Sequence, residues 1–217
     1  MKHLQLRCKP IDDLLGGGIE SKSITEIYGE PGTGKTNLCL QASRECSNLG
    51  KKVAFIDSQG VSSERFKQIC GDSDCKNVLS NILFFNPSSF KEQEKMIKTA
   101  INLENLGLII LDTYNSFYRL MIENDEKYAD RSLNRQITEL QIASVKKNIY
   151  VIITGQVYST ENNDVRPFGG RSIEHMLKTI IKLEKISKGK RQATIIKHQN
   201  KVKGKKAIFS ITSKGLE

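Results

Sequence analysis

Eight consecutive residues, Gly29-Glu30-Pro31-Gly32-Thr33-Gly34-Lys35-Thr36, fit the spacing G-x-x-x-x-G-K-[ST] at every fixed position. The chemistry served by this spacing is phosphate binding. The glycines let backbone N–H groups turn inward around a phosphate with no Cβ in the way. The start of a following helix adds the positive end of its dipole. Lys35 supplies a point charge for the β- and γ-phosphates, and the Thr36 hydroxyl is a ligand for Mg2+. Glu30, Pro31, Thr33 and, in the first turn beyond, Asn37 complete the loop. Asp112 follows four apolar residues, Leu108 to Leu111. An aspartate after a strand is often only a turn former, but beside a phosphate loop an acid at this place orients the magnesium ion.

Hydrolysis needs more: a group that aligns or deprotonates water, usually a carboxylate. The natural place is just past the strand that ends at Asp57, and the residue there is Gln59. An amide orients water but cannot take its proton. Gln156, after a later apolar run, is either an ordinary strand-end amide or a group that feels the γ-phosphate and passes that on to the next loop. The 159–170 loop holds Arg166 and Phe168 beside Gly169 and Gly170, with Arg171 following. It reads either as a plain surface loop or as one whose Phe168 stacks on a base while Arg166 meets phosphate.

The elements that must position these groups alternate. Apolar runs at 23–28, 52–57, 81–85, 107–112 and 148–154 predict strands. Helical patterns occupy 36–48, 62–71, 89–105 and 130–147. Such alternation predicts an α/β fold, a mostly parallel central sheet flanked by helices. Beyond residue 170 the alternation stops. The runs at 179–184, 192–197 and 206–211, joined by short basic turns, predict antiparallel strands extending the same sheet. No linker or internal repeat interrupts the pattern, so residues 1–217 are expected to form a single domain.

Composition narrows the classes. The chain has 217 residues, 38% hydrophobic and 27% charged. No apolar run approaches the roughly 18 residues of a membrane span. The first residues hold no signal-peptide pattern, so a cytoplasmic protein without a membrane partner is expected. The five cysteines, Cys8, Cys39, Cys46, Cys70 and Cys75, suit free thiols better than a disulfide framework; Cys70 with Cys75 is the one pairing left open. Net charge is +10, and the segment 178–206 alone carries eleven Lys/Arg against one acid, Glu184. Its Lys188, Lys190, Arg191, Lys201 and Lys203 are candidate contacts to nucleic acid. The alternative is a solvated lysine face that protects strand edges.

Taken together these motifs resemble the RecA/RadA recombinase core. The resemblance is carried by Leu14-Leu15-Gly16-Gly17-Gly18-Ile19, the phosphate loop, Phe55-Ile56-Asp57-Ser58-Gln59-Gly60 with Ser63-Glu64-Arg65, the Asp112-Thr113 strand end, Thr154-Gly155-Gln156-Val157 and Pro167-Phe168-Gly169-Gly170. It implies a RecA-like NTPase core that binds ATP and Mg2+, with Arg65 stacking on the adenine. It also implies that Gln156 couples nucleotide state to a DNA-facing loop, 157–170, with 122–131, including Arg131, as the other such loop. The departures are equally informative. The family's N-terminal helical DNA-binding domain and its filament-building linker are expected to have no counterpart, and Gln59 stands where a catalytic glutamate is expected. The resemblance therefore implies an ATP- and DNA-binding accessory protein of recombination and repair. It would act on single-stranded or branched DNA, assist a RadA-type recombinase and hydrolyse ATP weakly, as at most a weak homodimer and not a filament. The alternatives are a DNA-dependent ATPase that exchanges strands itself, and a KaiC-like nucleotide switch acting on protein partners.

Overall fold

Strands that are apolar on both faces must be covered on both faces, and the central strands of this chain are. A computed structural model describes residues 2–71, 75–160 and 164–217. Its first elements are β1 (His3–Leu4), α1 (Lys9–Leu15), β2 (Ile19–Glu20), β3 (Ser23–Gly29), α2 (Lys35–Asn48) and β4 (Lys52–Asp57). Next come α3 (Ser63–Cys70), α4 (Cys75–Ser80), β5 (Ile82–Phe85), α5 (Phe90–Ile101), β6 (Leu106–Asp112), α6 (Ser116–Lys147) and β7 (Tyr150–Gly155). The last are β8 (Val157–Ser159), β9 (Val165–Pro167), α7 (Gly170–Ile173), a 3-10 turn (Glu174–Met176), β10 (Thr179–Ser187), β11 (Lys190–Lys197), β12 (Lys206–Thr212) and β13 (Gly215–Leu216).

The main sheet runs β13-β12-β11-β10-β3-β7-β6-β4-β5. From β10 to β5 the neighbours are parallel, and from β10 to β13 they are antiparallel. The expected α/β architecture with its antiparallel extension is therefore present. Period-two alternation sorts the strand residues. Leu108, Ile110 and Ile152 pack with Leu38 and Leu40 of α2 on one face. Ile109, Leu111 and Val151 pack with Ile97 of α5 and Leu133, Ile137 and Leu140 of α6 on the other. Ser62 and Ser89 cap α3 and α5 by accepting the N–H of Arg65 and Glu92.

Two expectations need correction. The segment 122–131, with Arg131, is not a loop; it lies within α6, which starts at Ser116. The only break is Asp125, whose backbone is non-helical (φ −153, ψ 90) and whose carboxylate accepts the N–H of Tyr128 at 2.9 Å. Asp125 thus caps a second helical half, and the Arg131 guanidinium turns back to the Lys127 carbonyl. The expected 159–170 loop is in large part a hairpin that starts earlier, β8–β9, in which Tyr158 pairs with Arg166. Its Glu161, Asn162 and Asn163 lie outside the described residues.

The ends of the chain are held by one side chain. Buried Gln41 of α2 donates to the carbonyls of Leu6 and Leu216 and accepts the Leu216 N–H. This brings Leu216 against the start of α2, where a Cβ on Gly34 would lie 3.2 Å from the leucine.

Candidate functional site

The phosphate loop joins β3 to α2 at the carboxyl end of the parallel strands, the usual ligand position in open α/β sheets. Gly34, at φ 105, occupies the N-cap of α2. A Cβ on Gly29 would collide with the Leu183 carbonyl of neighbouring β10. The loop is therefore glycine-rich for two reasons, backbone shape and the strand beside it. Lys35 Nζ donates to its own loop, to the carbonyls of Gly29 (2.6 Å) and Glu30 (3.0 Å), and Thr33 Oγ1 donates to Glu30 (2.8 Å). Burial lowers the Lys35 pKa, while the charge of Asp112 works against that.

β6 and β7 bring the second half of the site. Register places Asp112 between Asp57 of β4 and Thr154 of β7. Thr36 Oγ1 donates to Asp112 Oδ2 at 2.8 Å, and Thr154 donates to Oδ1. Burial raises the Asp112 pKa; those two hydrogen bonds and the Lys35 charge oppose it. Thr36 and Asp112 are hard oxygen donors, the set that Mg2+ prefers. Among the described residues no cluster of three or more His, Cys, Asp or Glu exists to cage a metal. Such an ion would take most of its shell from water and phosphate oxygens, as Mg2+ commonly does.

Gln59 follows β4 in a loop pinned by Asp57, whose carboxylate accepts the N–H groups of Gln59 (3.0 Å), Gly60 (2.9 Å) and Val61 (2.5 Å). The Gln59 side chain is exposed and reaches Ser116 Oγ at 3.5 Å. Gln156 is fastened by its backbone. Buried Asn115 accepts its N–H (2.8 Å) and donates to its carbonyl (2.9 Å) and to that of Phe168 (3.0 Å). Arg65 donates to Asn37 (2.9 Å), Gln68 (3.0 Å) and the carbonyls of Thr212 (2.8 Å) and Ser213 (3.1 Å). Four of its five N–H donors are thus used, which fixes the guanidinium plane.

The basic residues divide. Arg191 Nε donates to the Gly32 carbonyl at 3.0 Å. Lys185 lies over the same glycine, its Cε 3.4 Å from where a Cβ would stand. Lys201 packs across Gly16. Lys188 and Lys190 are exposed at the β10–β11 turn. Arg166, Arg171 and Lys203 line a separate cleft beside the β8–β9 hairpin. The Phe168 ring is not free: Arg119 sits over it at 5.2 Å and Tyr158 lies 5.0 Å away.

A family model described as Rad51 matches residues 2–217. The chain belongs to the Rad51 family. The DNA repair and recombination protein RadB of Methanococcoides burtonii is 44% identical over 214 residues, 96% of this chain and 95% of that protein. The RadB protein of Thermoplasma acidophilum is 37% identical, with 100% of this chain and 94% of that protein covered. A solved structure described as the crystal structure of the RadB recombinase superposes with a TM-score of 0.86 at 33% identity over 98% of each chain. The relatives are archaeal RadB proteins, and the likeness to the RecA/RadA family read from the motifs holds. Rad51-family membership implies nucleotide binding with Mg2+, which the loop and the Thr36–Asp112 pair fit.

Within this Rad51-family site, sequence reasoning missed Asn115, Arg119, Tyr158 and Lys185. Asn115 had a local signal, a polar residue three positions past the Asp112 strand end. Lys185 was visible only as one cation of the basic segment, and Arg119 and Tyr158 show their roles only through Phe168, which the fold brings against both. The five cysteines are free. The Cys70 and Cys75 thiols hydrogen-bond, and burial and that neighbour push Cys70 up to about 12. No helix among the described residues is long and apolar enough to cross a membrane.

Proposed function

We propose that this chain is an ATP- and DNA-binding protein of recombination and repair that assists a RadA-type recombinase, with ATP acting as a conformational ligand. The observation that carries the reading is the carboxylate inventory around the phosphate loop. Asp112 faces Thr36, Thr154 and Lys35, the metal side of the site. Asp57 is occupied by three backbone N–H groups. The Glu30 carboxylate, in the loop itself, is exposed and makes no side-chain hydrogen bond or ion pair among the described residues. The residue placed beyond β4 to handle water is Gln59, an amide. Binding is thus supported and rapid hydrolysis is not. Asn115 supports the conformational part, because it joins the strand end after Asp112 to both Gln156 and Phe168. A ligand at Asp112 and a contact on the 157–170 segment would bias one connected element. The RadB relatives are named for DNA repair and recombination, in agreement with the basic charge.

ATP turnover with and without single-stranded DNA tests this. Turnover well below ~1 s⁻¹, the low end of ordinary enzymes, is expected for the native chain. Gln59→Glu should raise it by roughly 10- to 100-fold, the lower part of the range for a positioned base. Brisk native turnover together with strand exchange by this chain alone would replace the accessory reading with that of a recombinase. ATP-dependent capture of a RadA-type recombinase would support the partner.

A further inference from the structure

We propose that Cys70 and Cys75 form a redox modification site, a thiol pair that closes to a reversible disulfide with a small-molecule disulfide of the glutathione class as oxidant. Neither ATP nor DNA enters into its chemistry.

Two separate helices present the sulfurs. Cys70 is the last residue of α3 and Cys75 the first of α4. Both helices are fastened to α2. Arg44 of α2 donates to the Ile69 carbonyl at 2.6 Å, and Ser47 of α2 donates to the Val78 carbonyl at 3.0 Å. Both cysteines also pack on the α2-side core. The hydrogen bond between the thiols is therefore set by the fold and not by close spacing in sequence alone. A disulfide needs about 2.05 Å between its sulfurs, and thiols already in contact have little distance to cover. The chain leaves α3 through Gly71, at φ 76, where even a Cβ would meet nothing within 4 Å. The backbone at that end has room to follow the sulfur.

Exposure separates this pair from the other cysteines. Cys8, Cys39 and Cys46 are fully buried, and burial raises the pKa of each. Cys70 and Cys75 are partly exposed, at the rim of the core. Within the pair the roles differ. Burial pushes Cys70 up to about 12 and the neighbouring Cys75 adds to it, while the Arg44 charge works against both. A protonated thiol is a poor nucleophile, so Cys75 attacks first. Its thiolate bonds to one sulfur of the small disulfide, and the other sulfur leaves as a thiolate that takes up a proton. Cys70 then loses its proton, attacks the Cys75 sulfur and expels the second small thiol. Cys75 carries no charge in the mixed disulfide, so its contribution to the raised Cys70 pKa is gone and Arg44 remains to favour the thiolate. In sum, two protein thiols and one small disulfide give one protein disulfide and two small thiols. The new bond would tie α3 to α4 and so anchor the far end of the helix whose first turn carries Arg65.

The test is thiol mapping on the full, folded chain in glutathione buffers stepped from reducing to oxidising, with alkylation and tryptic digestion. Both cysteines fall in one tryptic peptide, 68–76. That peptide should lose two hydrogens and both alkylation sites, while Cys8, Cys39 and Cys46 stay reduced. Closure should need about tenfold less oxidised glutathione than in the guanidinium-unfolded chain, because the fold holds the thiols at a high effective concentration. Cys70→Ser should stop with a single glutathione on Cys75, and Cys75→Ser should leave Cys70 unmodified. Five free thiols in the most oxidising buffer, glutathione retained on the native peptide, or closure no easier in the folded chain than in the unfolded one overturns the site. An adduct on Cys70 in Cys75→Ser, with none on Cys75 in Cys70→Ser, overturns the assignment of Cys75 as the attacking thiol.

Discussion

The phosphate loop and the hairpin cleft are both built against β3, yet they treat charge in opposite ways. At the loop every functional side chain has a partner inside the protein. Lys35 holds two loop carbonyls, Thr36 and Thr154 hold Asp112, Asp57 holds three N–H groups, and Arg65 is held by four acceptors. In the cleft Arg166, Arg171 and Lys203 have no such side-chain partners among the described residues. The first site is organised before its ligand arrives, so little order remains to be imposed on binding. The second mixes three cations with three acids, Glu26, Asp164 and Glu174, and leaves the cations for a ligand or solvent to meet, so contacts made through them should follow ionic strength. One fold thus supplies a shaped site from short strand ends and a field from long strands.

The largest expected effect breaks the first site alone. Lys35→Ala should lower ATP affinity by about two orders of magnitude, since it removes a charge-assisted phosphate contact from a half-buried place in the loop. Calorimetric titration reads it. Affinity for a single strand without nucleotide should stay unchanged; a parallel loss would mean that the two sites are not separate.

Glu26 lies under both regions, on the strand that ends in the loop and on the wall of the cleft. Burial pushes its carboxyl up from 4.5 to about 7; the Tyr114 hydrogen bond opposes this and the Glu174 charge adds to it. Folding therefore takes up a proton between those pH values. Stability is full below pH 4.5 and falls as pH rises through 7, by on the order of 3 kcal/mol. Glu26→Gln should remove that fall, since the amide oxygen still accepts from Tyr114. Denaturant melts at pH 5 and pH 8 should converge for the variant and diverge for the native chain. An unchanged difference would show that Glu26 is ionised at little cost.

The smallest effect sharpens the boundary. Arg191 was expected among the DNA contacts, but its guanidinium holds the Gly32 carbonyl. Arg191→Ala should weaken ATP binding several-fold, the worth of one charge-assisted hydrogen bond at a partly exposed place. The salt slope of strand binding should not move. If the slope falls by about one contact and ATP affinity holds, Arg191 belongs to the DNA side.

What could be read in advance follows the range of the interactions. The loop, the Asp112 strand end and the parallel strands are local in sequence, and each was legible. Seven residues of α1 were missed although Pro10 and Asp12 mark a helix start, because the pattern is short. The β8–β9 strands, three residues each, carry too few positions to show alternation. The first half of α6 was hidden by its break at Asp125. The fate of the basic residues was out of reach. Whether a lysine meets Gly32, Gly16 or the cleft depends on how β10 and β11 register against β3, which residues 178–206 alone do not encode.

That register also bears on how the protein is made. β3 forms early in the chain, but its two neighbours are β7 and β10, more than a hundred residues later. While the chain is being synthesised, the strand that carries the phosphate loop waits with both edges open, and Leu183 is not yet there to close on Gly29. Contacts this distant in sequence form slowly and leave apolar strands exposed meanwhile. Competence to bind nucleotide therefore appears late in biosynthesis, as a sign that the sheet has closed.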